Sequence, residues 1–170
     1  LSNLERGNLS FHYTHEEVIS LCRKVVDTVE RIKQTSAAVC FSTPFTELML
    51  TTDATRLQQL LINLLINATK FTPAGSITLS LELRDQEALF SVTDTGCGIS
   101  PDQHDKVFNR FEKLNELSQG SGLGLSICQL IIQELGGHIW IDPDYHDGAR
   151  FCFTHPLHRQ PIEARKEITT

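Results

Sequence analysis

No apolar run in this chain approaches the ~18 residues that a membrane-spanning helix needs, and the first residues lack the shape of a signal peptide. There is no CxxC pair. The five cysteines, Cys22, Cys40, Cys97, Cys128 and Cys152, are scattered and odd in number. That excludes a zinc knuckle or a disulfide frame and points to reduced thiols in a cytoplasmic protein. A basic excess is missing too. The net charge is −6, the wrong sign for a general nucleic-acid binder, which must neutralise phosphates with a basic face. No internal repeat is present. What remains is 170 residues, 40% of them hydrophobic, enough for one ordinary domain with its own core.

The stretch Asp53 to Thr72, DATRLQQLLINLLINATKFT, organises the rest. Leu57, Leu60, Leu61, Leu64, Leu65 and Ala68 recur at helical spacing, and Ile62 and Ile66 widen the stripe. Asn63, Asn67 and Lys70 interrupt it. At about 100° per residue they fall within roughly 60° of one another. Asparagine is a poor helix former and costs roughly 1–3 kcal/mol if buried without partners. The pair marks either a polar slot in a buried helix or a wet edge.

Around this helix the chain alternates between helical and strand patterns. Leu1 to Ser10 is polar and suggests the frayed end of something upstream. Phe11 to Tyr13 suits a short edge strand. Thr14 can cap a helix running to about Lys33, with Glu17 completing a capping box. Ala38 to Phe41 and Leu48 to Thr51 suit strands about a turn at Pro44, and Asp53 caps the central helix. Ile77, Leu79, Leu81 and Leu83 alternate with polar residues, as do Ala88, Phe90 and Val92 after a turn at 84–86. One apolar face per strand implies a sheet covered on one side, antiparallel or mixed. Asp102 to Asn115 suits a short helix and loop, and Leu123 to Leu135 a third helix ended by Gly136-Gly137. His138 to Asp142 and Ala149 to His155 are two last strands around a PDYHDG turn.

Two glycine-bearing segments carry chemistry. Asp94 continues the apolar series of its strand and is followed at once by Thr95-Gly96-Cys97-Gly98. A carboxylate on an inward strand face is costly unless it accepts hydrogen bonds. The glycines let backbone pass close to a flat ligand, and an adenine amino group would suit the carboxylate. A β-turn with a capping aspartate would have the same sequence. Gly120-Ser121-Gly122-Leu123-Gly124-Leu125 directly precedes a helix, so its amides could hold phosphate or simply form a flexible loop. It lacks the Gly-Lys-Ser/Thr of a P-loop and follows no strand.

In succession NLLINATKFT, DTGCGI, FNRF and GSGLGLSI resemble the N, G1, F and G2 boxes of sensor histidine kinases, over about Phe11 to Leu157. The resemblance implies an α+β fold, the two-layer sandwich shared with DNA gyrase, mismatch-repair ATPases and heat-shock chaperones. A mixed, mostly antiparallel sheet would be covered on one face by three helices, with a mobile ATP lid between Ser100 and Gln119. It implies ATP and Mg²⁺ as ligands. Asn67 would be the magnesium ligand, with Asn63 the second asparagine of the box. Lys70 would meet phosphate and Phe71 would lie beside the purine. Asp94 would accept from the adenine amino group, with Gly96, Gly98 and Ile99 against the base. Phe108 and Phe111 would either anchor the lid or pack in the core, with Arg110 and Lys113 as lid cations. Gly120, Ser121, Gly122, Leu123, Gly124 and Leu125 would close over the phosphates.

The resemblance also bears on catalysis and partners. Hydrolytic relatives carry a glutamate at the position of Asn63. An amide cannot activate water, so Asn63 and Lys70 are expected to serve phosphoryl transfer to a protein. Ala149 stands where the family often has Thr or Ser. His15-Glu16-Glu17 only superficially echoes an acceptor motif, so the acceptor histidine is expected on a dimerisation domain outside the chain. The other implied partner is a response-regulator receiver domain, in a full-length homodimer, with no nucleic acid and no membrane contact by this domain. Residues 1–8 would end the dimerisation hairpin and linker, 9–157 would be the catalytic domain, and 158–170 a tail. A serine kinase of the anti-sigma type, or a pseudokinase binding nucleotide without transfer, are the alternatives on the same fold.

Overall fold

The computed structural model describes residues 10–109 and 122–158. Strand β1 (Thr14–Glu17) runs straight into helix α1 (Val18–Ile32). Strands β2 (Ala38–Ser42) and β3 (Met49–Thr52) lead to helix α2 (Ala54–Phe71), and β4 (Ser76–Arg84) and β5 (Glu87–Asp94) form a hairpin. After a short 3₁₀ turn at Pro101–Gln103 come helix α3 (Gly122–Leu135), β6 (Ile139–Ile141) and β7 (Arg150–Pro156). Five strands form one sheet in the order β2-β4-β5-β7-β6. β2 lies parallel to β4, and every other neighbour is antiparallel.

The helices pack on the face of that sheet that carries its large apolar side chains. Ile77, Leu79 and Leu81 of β4, Phe90 and Val92 of β5, and Phe151 and Phe153 of β7 are buried there. Phe90 and Phe153 stack with centroids 4.6 Å apart. Against them lie Leu57, Leu60, Leu61, Leu64, Leu65 and Ala68, the expected stripe of α2, all buried. The same spacing on α1 buries Val18, Leu21, Cys22, Val25, Val26 and Val29. Asp53 caps α2 by accepting from Arg56 N–H at 3.0 Å, and its other oxygen accepts from His12 N–H at 2.7 Å. No helix among the described residues is long and apolar enough to cross a membrane.

The N-terminal elements differ from the sequence expectation. The strand is Thr14–Glu17, not Phe11 to Tyr13, and it pairs with β3 in a separate two-stranded sheet. Thr14 does not cap α1; its hydroxyl bonds Glu16. Glu17 is the cap. Its carboxylate accepts from Ile19 N–H at 2.8 Å, Ser20 N–H at 3.0 Å and Leu48 N–H at 2.9 Å. Three donors on a carboxylate outweigh one hydroxyl contact. Burial by itself would raise the Glu17 pKa, but these amides overrule it and hold the group below its ordinary range. Its stabilising contribution is therefore present above the unfolded-state pKa and lost as pH falls through the folded one. We expect Glu17→Ala to destabilise the domain by about 1 kcal/mol at neutral pH. Urea denaturation should show that difference shrinking as the pH falls through the carboxylate range.

Candidate functional site

The site is built where β5 ends and α2 ends. Asp94 is the last residue of β5 and is only 3% exposed. Its Oδ1 accepts from Gly96 N–H at 2.9 Å and Ala149 N–H at 3.1 Å. Its Oδ2 has no hydrogen bond among the described residues. Burial raises the Asp94 pKa, and the Gly96 and Ala149 amides pull it back only in part. An ionised carboxylate here is under-solvated and has one oxygen available to a donor.

The turn after Asp94 is clamped to the end of α2. Cys97 N–H donates to Phe71 O at 3.3 Å. Gly98 has φ +76°, the left-handed region that suits glycine. A Cβ on Gly96 would lie 2.1 Å from Phe71 O and 2.8 Å from Thr72 Oγ1. Thr72 is fully buried, and its Oγ1 is the one buried side-chain polar atom among the described residues with no hydrogen-bond partner. Gly96→Ala must push this turn off α2. We expect a loss of about 1–3 kcal/mol, the usual range for overpacking, measured by chemical denaturation.

The remaining sequence-derived residues divide four ways. Asn63, Asn67 and Phe71 of α2 are half-buried and Lys70 is exposed. Asn63 lies beside Cys128 of α3, whose thiol donates to Leu60 O at 3.9 Å and whose pKa burial pushes up to about 12, with Asn63 acting against that rise. Asn67 and Lys70 have no side-chain partner among the described residues. Phe108 is buried and packs edge-on against Phe151 at 6.0 Å, a core contact. Ile99 packs partly buried against the core, and Leu125 is buried. The glycine-rich segment is not wholly a loop before the helix: Gly122, Leu123 and Gly124 already form the first turn of α3. A Cβ on Gly124 would meet nothing within 4 Å. Phe111, Gly120 and Ser121, with Arg110 and Lys113, lie outside the described residues, as does the expected lid around them.

Four contributors escaped the sequence. Cys128 reads as one more apolar position of α3. Thr72 reads as the end of a helix. Tyr145 and Arg150 sit in and after a turn, PDYHDG, that looks solvent-facing. Only Ala149 gave a signal, as a residue without a hydroxyl, and it is the Ala149 backbone amide that holds Asp94.

The site is thus a buried carboxylate beside a glycine turn that is clamped to a helix carrying two asparagines. Residues 52–159 match the family described as histidine kinase-, DNA gyrase B- and HSP90-like ATPases, and the chain belongs to that family. Within it the likeness is to histidine kinases. The catalytic domain of histidine kinase ThkA is 33% identical, with a TM-score of 0.77 over 86% of this chain and 97% of that one. The sensory kinase SasA of Trichormus variabilis is 44% identical over 110 residues, 62% of this chain and 27% of the relative. The chain thus spans about a quarter of that kinase's length. ThkA in complex with the response regulator TrrA is 32% identical, with a TM-score of 0.72 over 86% of this chain and 42% of that one.

Proposed function

We propose that this chain binds Mg-ATP and supplies the catalytic half of a protein-histidine kinase. The γ-phosphoryl group would pass to a histidine on a dimerisation domain outside it. The observation that carries the proposal is Asp94: one oxygen fixed by two backbone amides, the other available, in a site that burial makes costly without a donor. The amino group of adenine is such a donor. Gly96, pressed against Phe71 O, leaves no side chain between that carboxylate and a flat ring.

Along α2, Asn67 offers an unengaged amide oxygen of the kind Mg²⁺ takes, a hard cation that usually shares its ligands with water and substrate phosphates. Among the described residues no group of three or more His, Cys, Asp or Glu side chains could hold a metal by itself. When bound, the ion would neutralise charge on the phosphates. Lys70, exposed one turn further on, adds a cation for them. The Asn63 amide has no base to offer a water molecule, which favours transfer over hydrolysis.

The partners follow from the family. A histidine-bearing dimerisation domain is the acceptor, and the solved ThkA–TrrA pair supports a response regulator as the next acceptor. We place the domain at residues 9–157, in the cytoplasm, within a homodimer. Incubation with labelled ATP and a separate histidine-bearing hairpin tests this. Label that is acid-labile and alkali-stable on the hairpin supports histidine transfer. Label on serine would indicate a serine kinase, and ATP binding without any transfer would indicate a pseudokinase.

A further inference from the structure

The loop between β6 and β7 is tied to the back of Asp94 by side chains that no role above uses. The Tyr145 hydroxyl donates to the Asp94 main-chain carbonyl at 3.0 Å. The Arg150 guanidinium lies over the Tyr145 ring, 4.4 Å from its centroid. Arg150 Nε donates to Thr93 Oγ1 at 3.1 Å, and its Nη1 bonds Asp142 Oδ2 at 3.2 Å. One arginine therefore links β5, the first residue of the loop and its central tyrosine. The loop ends on Gly148, where a Cβ would lie 2.0 Å from Asp94 O and 2.8 Å from Asp94 Oδ1. Directly after it comes Ala149, whose N–H holds Oδ1.

We propose that Tyr145 and Arg150 are positioning residues for purine selection, holding the 142–148 loop so that Ala149 and Gly96 fix the Asp94 carboxylate with only Oδ2 facing the base. Two donors on one oxygen set the plane of a carboxylate as well as its position. A fixed, acceptor-only oxygen accepts from a 6-amino purine and repels a 6-oxo purine. If the loop slackens, the Ala149 donor is lost first. The carboxylate can then rotate, attracting the amino group less and repelling the oxo group less. Selection between adenine and hypoxanthine thus depends on two side chains that never touch the base. This role presupposes the ATP site proposed above.

The test uses the full chain and displacement of a fluorescent ATP analogue, corrected for its own affinity, by ATP and by inosine triphosphate. Tyr145→Phe keeps the ring under Arg150 and removes the hydroxyl. Arg150→Lys keeps the charge and removes the planar fork and the Nε bond. Both should raise the Kd for ATP about 3- to 10-fold, the loss of one net hydrogen bond. The Kd for inosine triphosphate should hold or fall, so that the ratio between the two nucleotides contracts. In an Asp94→Asn background neither variant should change that ratio. Equal weakening of both nucleotides, or a lowered melting temperature with the ratio unchanged, would show a mere structural brace and overturn the proposal. If Asp94→Asn alone leaves ATP binding intact, the nucleotide site itself fails. If Asp94→Asn abolishes the preference and the Tyr145 and Arg150 variants keep it, only the positioning role fails.

Discussion

Asp94→Asn is expected to weaken ATP binding about 10- to 150-fold while the domain stays folded. The amide oxygen can keep the bonds from Gly96 and Ala149, so the strand end and the glycine turn need not move. The amide nitrogen then stands where Oδ2 stood, a donor facing a donor. Losing a hydrogen bond to a charged acceptor is worth roughly 1.5–3 kcal/mol, which is the affinity range given. The same substitution should not destabilise the ligand-free domain at neutral pH. Burial holds the folded pKa of Asp94 above its ordinary value. A group so shifted contributes stability below its unfolded pKa, and that contribution is lost as pH rises through the folded one. At pH 7 the ionised carboxylate therefore works against folding, and asparagine does not. Melting curves should put the variant at or above the parent at pH 7, with the gap closing toward lower pH. A folded variant with unchanged ATP affinity would remove Asp94 from the binding site.

Asn67→Ala is expected to lower phosphotransfer to a supplied histidine domain at least about a hundredfold, the scale of a catalytic metal ion's contribution. Asn67 is half-buried on α2 and has no side-chain hydrogen-bond partner among the described residues, so its removal breaks no native hydrogen bond there. Alanine is also the better helix former. A large loss of stability is therefore not expected, and lost activity would report on the ligand. Contacts through Asp94 remain, so ATP should still bind, with an affinity that hardly changes between excess Mg²⁺ and EDTA. Transfer at the parent rate in Mg²⁺ would show that α2 is not the metal-bearing wall of the site.

What the sequence disclosed and what it hid follow a physical line. The stripe of α2 and the alternation of β4 and β5 are local patterns, and each lies where its period placed it, except that Leu83 at the far end of β4 is exposed. Asp94 was legible because it falls on the inward phase of a strand that is otherwise apolar there. The separate two-stranded sheet was not legible, because Glu17 acquires its third donor from Leu48, 31 residues on. The parallel pairing of β2 with β4 joins segments on either side of α2, and no local period reports that. Tyr145 sits in a turn of polar residues, and its partner is a backbone carbonyl 51 residues earlier. Such contacts depend on the completed sheet register, in which Thr93 faces Arg150.

The central claim, that ATP sits against the end of β5 and the last turns of α2, is tested most directly by amide chemical shifts. A ¹⁵N-labelled chain titrated with Mg²⁺ and a non-hydrolysable ATP analogue should show saturable shifts at Asn67, Lys70, Asp94, Gly96, Gly98, Gly124 and Ala149. Leu83 and Asp85, at the opposite end of the β4–β5 hairpin, should not move. Shifts that saturate elsewhere and leave Asp94 to Gly98 unmoved would contradict the account.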